Sequence, residues 1–218
     1  QCHSYRADEM LMMVRFSQEF GFKLSTLQHS LEAYKIAPEM AAAGVGAAMF
    51  VDNWAFKVEG YDGNPYNAAI CQDAGVLVSV NTDGLSGTTT LNLDAAKAIH
   101  YGGATEAQAL AMLTINPAIQ AGIDHRTGSL EVGKDADIGI WSGHPLSVYS
   151  KAMVTLVDGE VFFERRDAFG VDGLSKAKMT LDSPSFVDLK PLPRSKAYAV
   201  TNATIYPVSG PKIEKGTI

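Results

Sequence analysis

The chain has 218 residues, 46% hydrophobic and 19% charged, a balance that excludes a disordered chain and allows one large domain or one and a half small ones. Its 24 acidic residues against 18 basic ones leave a net charge of -6 with no basic stripe, which argues against a nucleic-acid partner. The longest apolar run, Ala41 to Val51, is too short to span a bilayer, and two cysteines, Cys2 and Cys71, cannot build a disulfide framework.

The chain opens at Gln1 without an initiator Met or a leader and stops at Ile218 in what reads as mid-strand, so it is expected to be a fragment of a longer protein. Residues 7–20 follow with helical periodicity: Met10, Met13, Val14 and Phe20 share one side, and Gly21 stops the pattern. Leu24–Gln28 reads as a short buried strand, 32–43 as a helix closed by Gly44, and Val45–Val51 as a second strand of small apolar residues. A loop over 52–65 leads to a helix near 66–74, and Val76–Asn81 is the clearest strand. Helices are expected at 91–101, at 105–114 and after Pro117. Strand and helix alternate, with Gly at helix ends, which predicts βαβ units and a parallel sheet.

Beyond residue 124 the texture changes. Gly128–Leu130, Asp137–Trp141, Ala152–Val157 and Val161–Glu164 read as short strands, and Asp158-Gly159 is a hairpin signal. Residues 165–195 read as a linker or irregular arm. A strand pair, Ala197–Tyr206 and Lys212–Ile218, closes the sequence.

Three residues carry the chemistry. His29 lies 26 positions after His3, and Asp83 lies 54 after His29. A (β/α)₈ barrel of ~250 residues repeats about every 31 residues, so these spacings are near one unit and two units. They put His3, His29 and Asp83 at the carboxyl ends of three predicted strands, on the face where such sheets carry their sites. Imidazole and carboxylate suit Zn²⁺ or a similar divalent ion. A metal lowers the pKa of its bound water and polarises a carbonyl, and a neighbouring carboxylate can move the proton. A lone histidine at a strand end is more often structural, and it is the occurrence of three such residues at unit spacing that favours a site. Tyr5 and Arg6 follow His3 on a loop that would face a substrate; Arg6 could hold a carboxylate, or pair with Asp8 or Glu9 at the surface. Glu32 and Lys35 after His29, and Asp52, Trp54 and Lys57 after the next strand, could support or line the pocket or simply pack. His100, His125 and His144 read as helix-end or exposed residues, and the Met10, Met12, Met13 cluster as core.

The segments Gln1-Cys2-His3-Ser4-Tyr5-Arg6, Leu27-Gln28-His29-Ser30-Leu31-Glu32 and Val78-Ser79-Val80-Asn81-Thr82-Asp83 resemble the ends of the fifth, sixth and eighth barrel strands of metal-dependent amidohydrolases. Thr114-Ile115-Asn116-Pro117-Ala118 is similar to the helix motif after the eighth strand, and Gly128–Asp137 to the segment that returns the chain to a small β-sandwich. The likeness runs from residue 1 to about 165 and is closest to the imidazolonepropionase-like branch. It implies an α/β fold, the C-terminal half of a (β/α)₈ TIM barrel over 1–124 plus part of a β-sandwich over 125–165. A linker would follow at 166–195, and 196–218 would be either further sandwich strands or the start of a second amidohydrolase unit, the reading that the long linker favours.

The same resemblance implies the roles. His3, His29 and Asp83 match metal ligands, with Asp83 also the proton shuttle, for one or two divalent ions, Zn²⁺ first among them. The family's first-strand His-x-His is absent from these residues. The segment alone is therefore expected to be inactive, and the missing N-terminal half of the barrel to be its first partner, with homo-oligomerisation left open. The reaction implied is hydrolysis of an amide or other C–N bond in a small-molecule substrate. The alternatives are a deaminase of the same superfamily and a catalytically silent scaffold.

Overall fold

A computed structural model describes residues 1–51, 53–84, 89–166 and 199–218. They form two compact units. One comprises Gln1–Lys134 with Tyr206–Ile213; the second begins at Asp135 and takes in Glu214–Ile218. The change of unit thus falls at Lys134, ten residues beyond the expected boundary at 124. The linker expected at 166–195 lies outside the described residues apart from Arg166, and so does Asp52.

The first unit is built on four parallel strands, β1 (Cys2–Ser4), β2 (Thr26–His29), β3 (Gly46–Met49) and β4 (Val78–Val80), hydrogen-bonded in sequence order. Ser4 pairs with His29, His29 with Met49, and Met49 with Val80, so the carboxyl ends of the strands finish level. Strands buried on both faces need near-continuous small or apolar residues, and Leu27, Ala47, Met49 and Val78 are all buried.

Helix α1 spans Ala7–Phe20, the range that the periodicity predicts; Met10 and Val14 are buried as expected, together with Ser17, whereas Phe20, expected on the same side, is exposed. Gly21 ends it in the left-handed conformation, its N–H bonded to the Ser17 carbonyl. At the other end the Ala7 N–H donates to Glu32 Oε2 at 2.9 Å, so a carboxylate from the following unit of chain satisfies the helix N-terminus. The single helix expected over 32–43 is instead a 3₁₀ turn, Ala33–Lys35, followed by α2, Ala37–Ala42. Pro38 is the reason. It has no N–H and clashes with the preceding turn inside a helix, but fits a first turn, so α2 must begin just before it. Helices α3 (Asn67–Asp73), α4 (Leu91–Gly102), α5 (Glu106–Ala111) and α6 (Ile115–Ala121) follow. Here too the helix begins before its proline, with Pro117 in the first turn. A capping box, Thr105 with Gln108, starts α5.

Helix α6 closes the amino end of the sheet. Asn116 Nδ2 donates to the Val78 carbonyl at 2.7 Å. Gln120, itself buried, donates to the Leu77 carbonyl at 2.8 Å and accepts from Ser79 Oγ at 2.6 Å. The Ser25 hydroxyl donates to the Gln120 carbonyl at 2.5 Å. Buried strand-end carbonyls would otherwise be unpaired, a cost that this helix removes.

Gly128–Leu130 is not the strand that its sequence predicts. Leu130 N–H bonds to the Pro207 carbonyl, and Gly128 lies against α6 with φ 96°. A Cβ there would stand 2.8 Å from Ala118 Cβ and 3.0 Å from Ile115 Cα, so the glycine is needed for both its backbone and its closeness.

In the second unit, β5 (Ile138–Trp141), β6 (Ala152–Val157) and β7 (Glu160–Glu164) make an antiparallel sheet in that order. Asp158 and Gly159 both have positive φ, 50° and 80°, giving the mirror-image turn that suits a hairpin. Strands β8 (Ala203–Ile205) and β9 (Ile213–Gly216) pair with each other in a separate two-stranded sheet, shorter than the pair expected from sequence.

Gly128→Ala is expected to destabilise the chain by roughly 2–4 kcal/mol, from left-handed strain and overpacking together. Urea unfolding would measure it, and a midpoint equal to the parent's would contradict the packing described.

Candidate active site

Parallel strands that finish level place their last side chains on one rim. His3 is the middle residue of β1 and His29 the last of β2, while Asp83 follows β4 by three residues. The structure brings all three together. His29 Nε2 and His3 Nδ1 are 2.8 Å apart, a hydrogen bond whose direction depends on the tautomers. His29 Nδ1 faces Asp83 Oδ2 at 3.7 Å. His29 is thus the middle of the cluster, addressed at one ring nitrogen by an imidazole and at the other by a carboxylate.

This arrangement needs a departure from strand geometry. Neighbouring residues of a strand point to opposite faces. Yet Gln28 reaches Asn81 Nδ2 at 3.1 Å, beyond β4, while His29 reaches His3 and Asp83 on the same side. The left-handed backbone at His29, φ 70°, breaks the alternation and turns its ring inward. A non-glycine residue held there carries a cost of about 1 kcal/mol or more, which packing must offset.

Aromatic rings supply that packing. Tyr5 stacks on His29 with centroids 4.8 Å apart and planes at 13°; Phe50 stacks on it at 4.8 Å and 21°. Phe56 approaches both, at 6.1 and 6.3 Å. His29 is 3% exposed, and its Nδ1 has no hydrogen-bond partner. Burial above all, with the charges of His3 and Lys57, holds this imidazole below its usual pKa range against the opposing pull of Asp83. At neutral pH it is therefore the uncharged form, the one able to bind a metal. Asp83, by contrast, has a side chain 63% exposed, open to a reacting molecule.

Two imidazoles and a carboxylate are a suitable donor set for a divalent ion, and the orphaned Nδ1 of His29 is an open ligand atom. The nitrogens of His3 and His29 stand closer than two ligands of one tetrahedral zinc, which at bonds of about 2.0–2.1 Å would be about 3.3 Å apart. His3 meets His29 at Nε2 whereas Asp83 faces Nδ1, so the two partners address opposite edges of the same ring. Among the described residues, no group of three or more His, Cys, Asp and Glu is placed so that it could hold a metal ion.

Arg6 does not join the cluster. Its guanidinium forks onto Asp8 at 3.0 and 3.4 Å, at the surface, and holds that carboxyl below its usual range. Glu32 and Lys35 are structural: Glu32 receives Ala7 N–H, and Lys35 joins it to Asp62. Trp54 packs edge-on to Tyr101. Lys57, however, lies at the site, its Nζ 3.6 Å from the centre of the Tyr5 ring.

Sequence reasoning missed Phe50 and Phe56, which look like ordinary core residues, and Asn67. The Asn67 amide donates to the carbonyls of Ser30 at 2.8 Å and Leu31 at 3.2 Å and accepts from Tyr34 N–H at 2.9 Å, fixing the chain just after His29. A polar residue one turn before Cys71, on the apolar face of α3, was the available signal. Cys71 is buried beside it, its thiol pushed up to about 12.

Comparison with known proteins gives the same direction. The model of the amidohydrolase family matches residues 28–177. The chain is 32% identical over 168 residues to amidohydrolase tasK of Hapsidospora irregularis, covering 74% of this chain and 17% of that protein. It is 37% identical over 106 residues to an imidazolonepropionase of Geobacillus kaustophilus, covering 41% and 25%. An amidohydrolase structure from Thermotoga maritima aligns with a TM-score of 0.69 at 36% identity, over 75% of this chain and 43% of the other. The chain therefore spans less than half the length of each of these relatives.

Asn67→Ala leaves buried backbone groups beside His29 unpaired and is expected to lower stability by about 2–4 kcal/mol. Thermal unfolding checks this; an unchanged transition would show that the asparagine does not hold the loop.

Proposed function

The chain belongs to the amidohydrolase family, and from that premise we propose that the intact protein hydrolyses an amide or other C–N bond of a small molecule, with the cluster of His3, His29 and Asp83 at its centre. The observation that carries this reading is the meeting of two imidazoles and a carboxylate at the carboxyl rim of a parallel sheet. Members of the family are generally metal-dependent. Zn²⁺ is the ion proposed, with His3 and His29 as ligands and Asp83 beside them; bound there it would lower the pKa of water and polarise the scissile carbonyl.

The chain's own groups do the rest. Asp83, exposed at the rim, accepts a proton from the attacking water at its carboxylate and delivers it to the departing nitrogen. His29, kept neutral by burial, remains a ligand instead of competing for that proton. Tyr5 and Phe50 lock its ring in place, so the geometry is set before substrate arrives. Tyr5, stacked on His29, would touch the substrate beside the cluster. Arg6, committed to Asp8, is left out of substrate binding.

Asp83→Asn in the intact protein should lower kcat by roughly 10²–10⁴-fold, the range of a lost general acid–base, with bound metal retained. His3→Ala and His29→Ala should lose the metal as well. Metal content by elemental analysis, with a screen of amide against amine substrates, tests both. Full turnover in Asp83→Asn would remove the proton shuttle, and full metal occupancy in His29→Ala would remove the ligand assignment.

A further inference from the structure

Three cations lie near the carboxyl rim. Arg6 is neutralised by Asp8, and Lys35 by Glu32 and Asp62. Lys57 differs. No carboxylate pairs with it among the described residues; its ammonium rests instead over the face of Tyr5 at 3.6 Å and near Phe56 at 5.4 Å.

The loop that carries Lys57 is built, not loose. Ala55 N–H bonds to the Gly60 carbonyl at 2.8 Å, and Gly60 N–H to the Lys57 carbonyl at 2.8 Å. Ala55 is held in the left-handed region, φ 53°, and Gly60 packs so tightly on Phe56 that a Cβ would stand 3.2 Å from its ring. This fold of the chain presents one half-buried ammonium beside the Tyr5–His29 stack. A cation–π contact satisfies an ammonium only in part, by about 0.5–2 kcal/mol, and leaves its remaining donors for a stronger acceptor. An incoming carboxylate is such an acceptor, and a charge-assisted hydrogen bond to it is stronger than the contact with the ring.

We propose that Lys57 determines specificity at this site: its ammonium binds a carboxylate carried by the amide substrate, and the Tyr5 ring positions that ammonium. The substrate class is thereby narrowed from amides in general to small amides bearing an acid group close to the scissile bond. The inference rests on the hydrolytic reading for its substrate, but its binding step does not need turnover.

The test uses the intact protein and a matched pair of probes, N-benzoylglycine and its neutral amide N-benzoylglycinamide. Calorimetry should show the acid binding at least about tenfold more tightly than the amide, a preference that shrinks as salt rises. Lys57→Met keeps the aliphatic stem but should erase the preference; Lys57→Arg keeps the charge and should restore it. Thermal unfolding establishes that each variant is folded. Equal affinities in the parent, absence of binding by the acid, or a preference that persists in Lys57→Met would each overturn the proposal. The two readings fail separately. Discrimination without hydrolysis of either probe leaves the subsite standing and counts against the hydrolase. Hydrolysis of neutral amides with no acid preference does the reverse.

Discussion

The imidazole of His29 holds the site together because it is touched from every useful direction. His3 meets one nitrogen at 2.8 Å, Asp83 faces the other at 3.7 Å, and Tyr5 and Phe50 stack on the ring. None of these contacts would exist if the backbone at residue 29 continued as a regular strand. The left-handed conformation at φ 70° is the constraint on which the cluster depends. Strain of this kind persists only where the surroundings over-determine it. Here they do: the ring stack holds the side chain from one side, and Asn67 pins the carbonyls of Ser30 and Leu31 from the other.

The two ends of the parallel sheet have divided their work. At the amino end Asn116, Gln120, Ser79 and Ser25 satisfy one another and the strand carbonyls, and Gly128 lets the next segment press on α6. At the carboxyl end the accounting is left open. His29 Nδ1 and Asn81 Oδ1 are buried without a hydrogen bond. Such atoms are costly to leave unsatisfied, and two of those found among the described residues lie at this rim.

The aromatic wall links the two sides of this chemistry. Tyr5 stabilises the neutral imidazole with its ring and carries the Lys57 ammonium over the same ring system. A single side chain thus couples the position of a proposed metal ligand to that of a proposed substrate contact. Substitutions at Tyr5 would disturb both.

Much of this was legible from residue order. The Met10 and Val14 periodicity and Gly21 set α1 to its observed ends, Asp158-Gly159 set the hairpin, and the intervals between His3, His29 and Asp83 set them on a common rim, because each of these signals depends on local backbone geometry or on the length of a βα unit. Pro38 was a local signal too, and it divides the helix expected over 32–43. Other features had no local trace. Gly128–Leu130 has strand-like residues, but the bond from Leu130 N–H goes to Pro207, far along the chain. Arg6 and Lys57 are equally plausible as substrate contacts by residue type. Only the folded chain gives Asp8 to one and the Tyr5 ring to the other. Periodicity and spacing determine which elements form and on which rim a residue lies. Which nitrogen of His29 meets which partner is decided by packing among strands distant in sequence, and no local pattern encodes that.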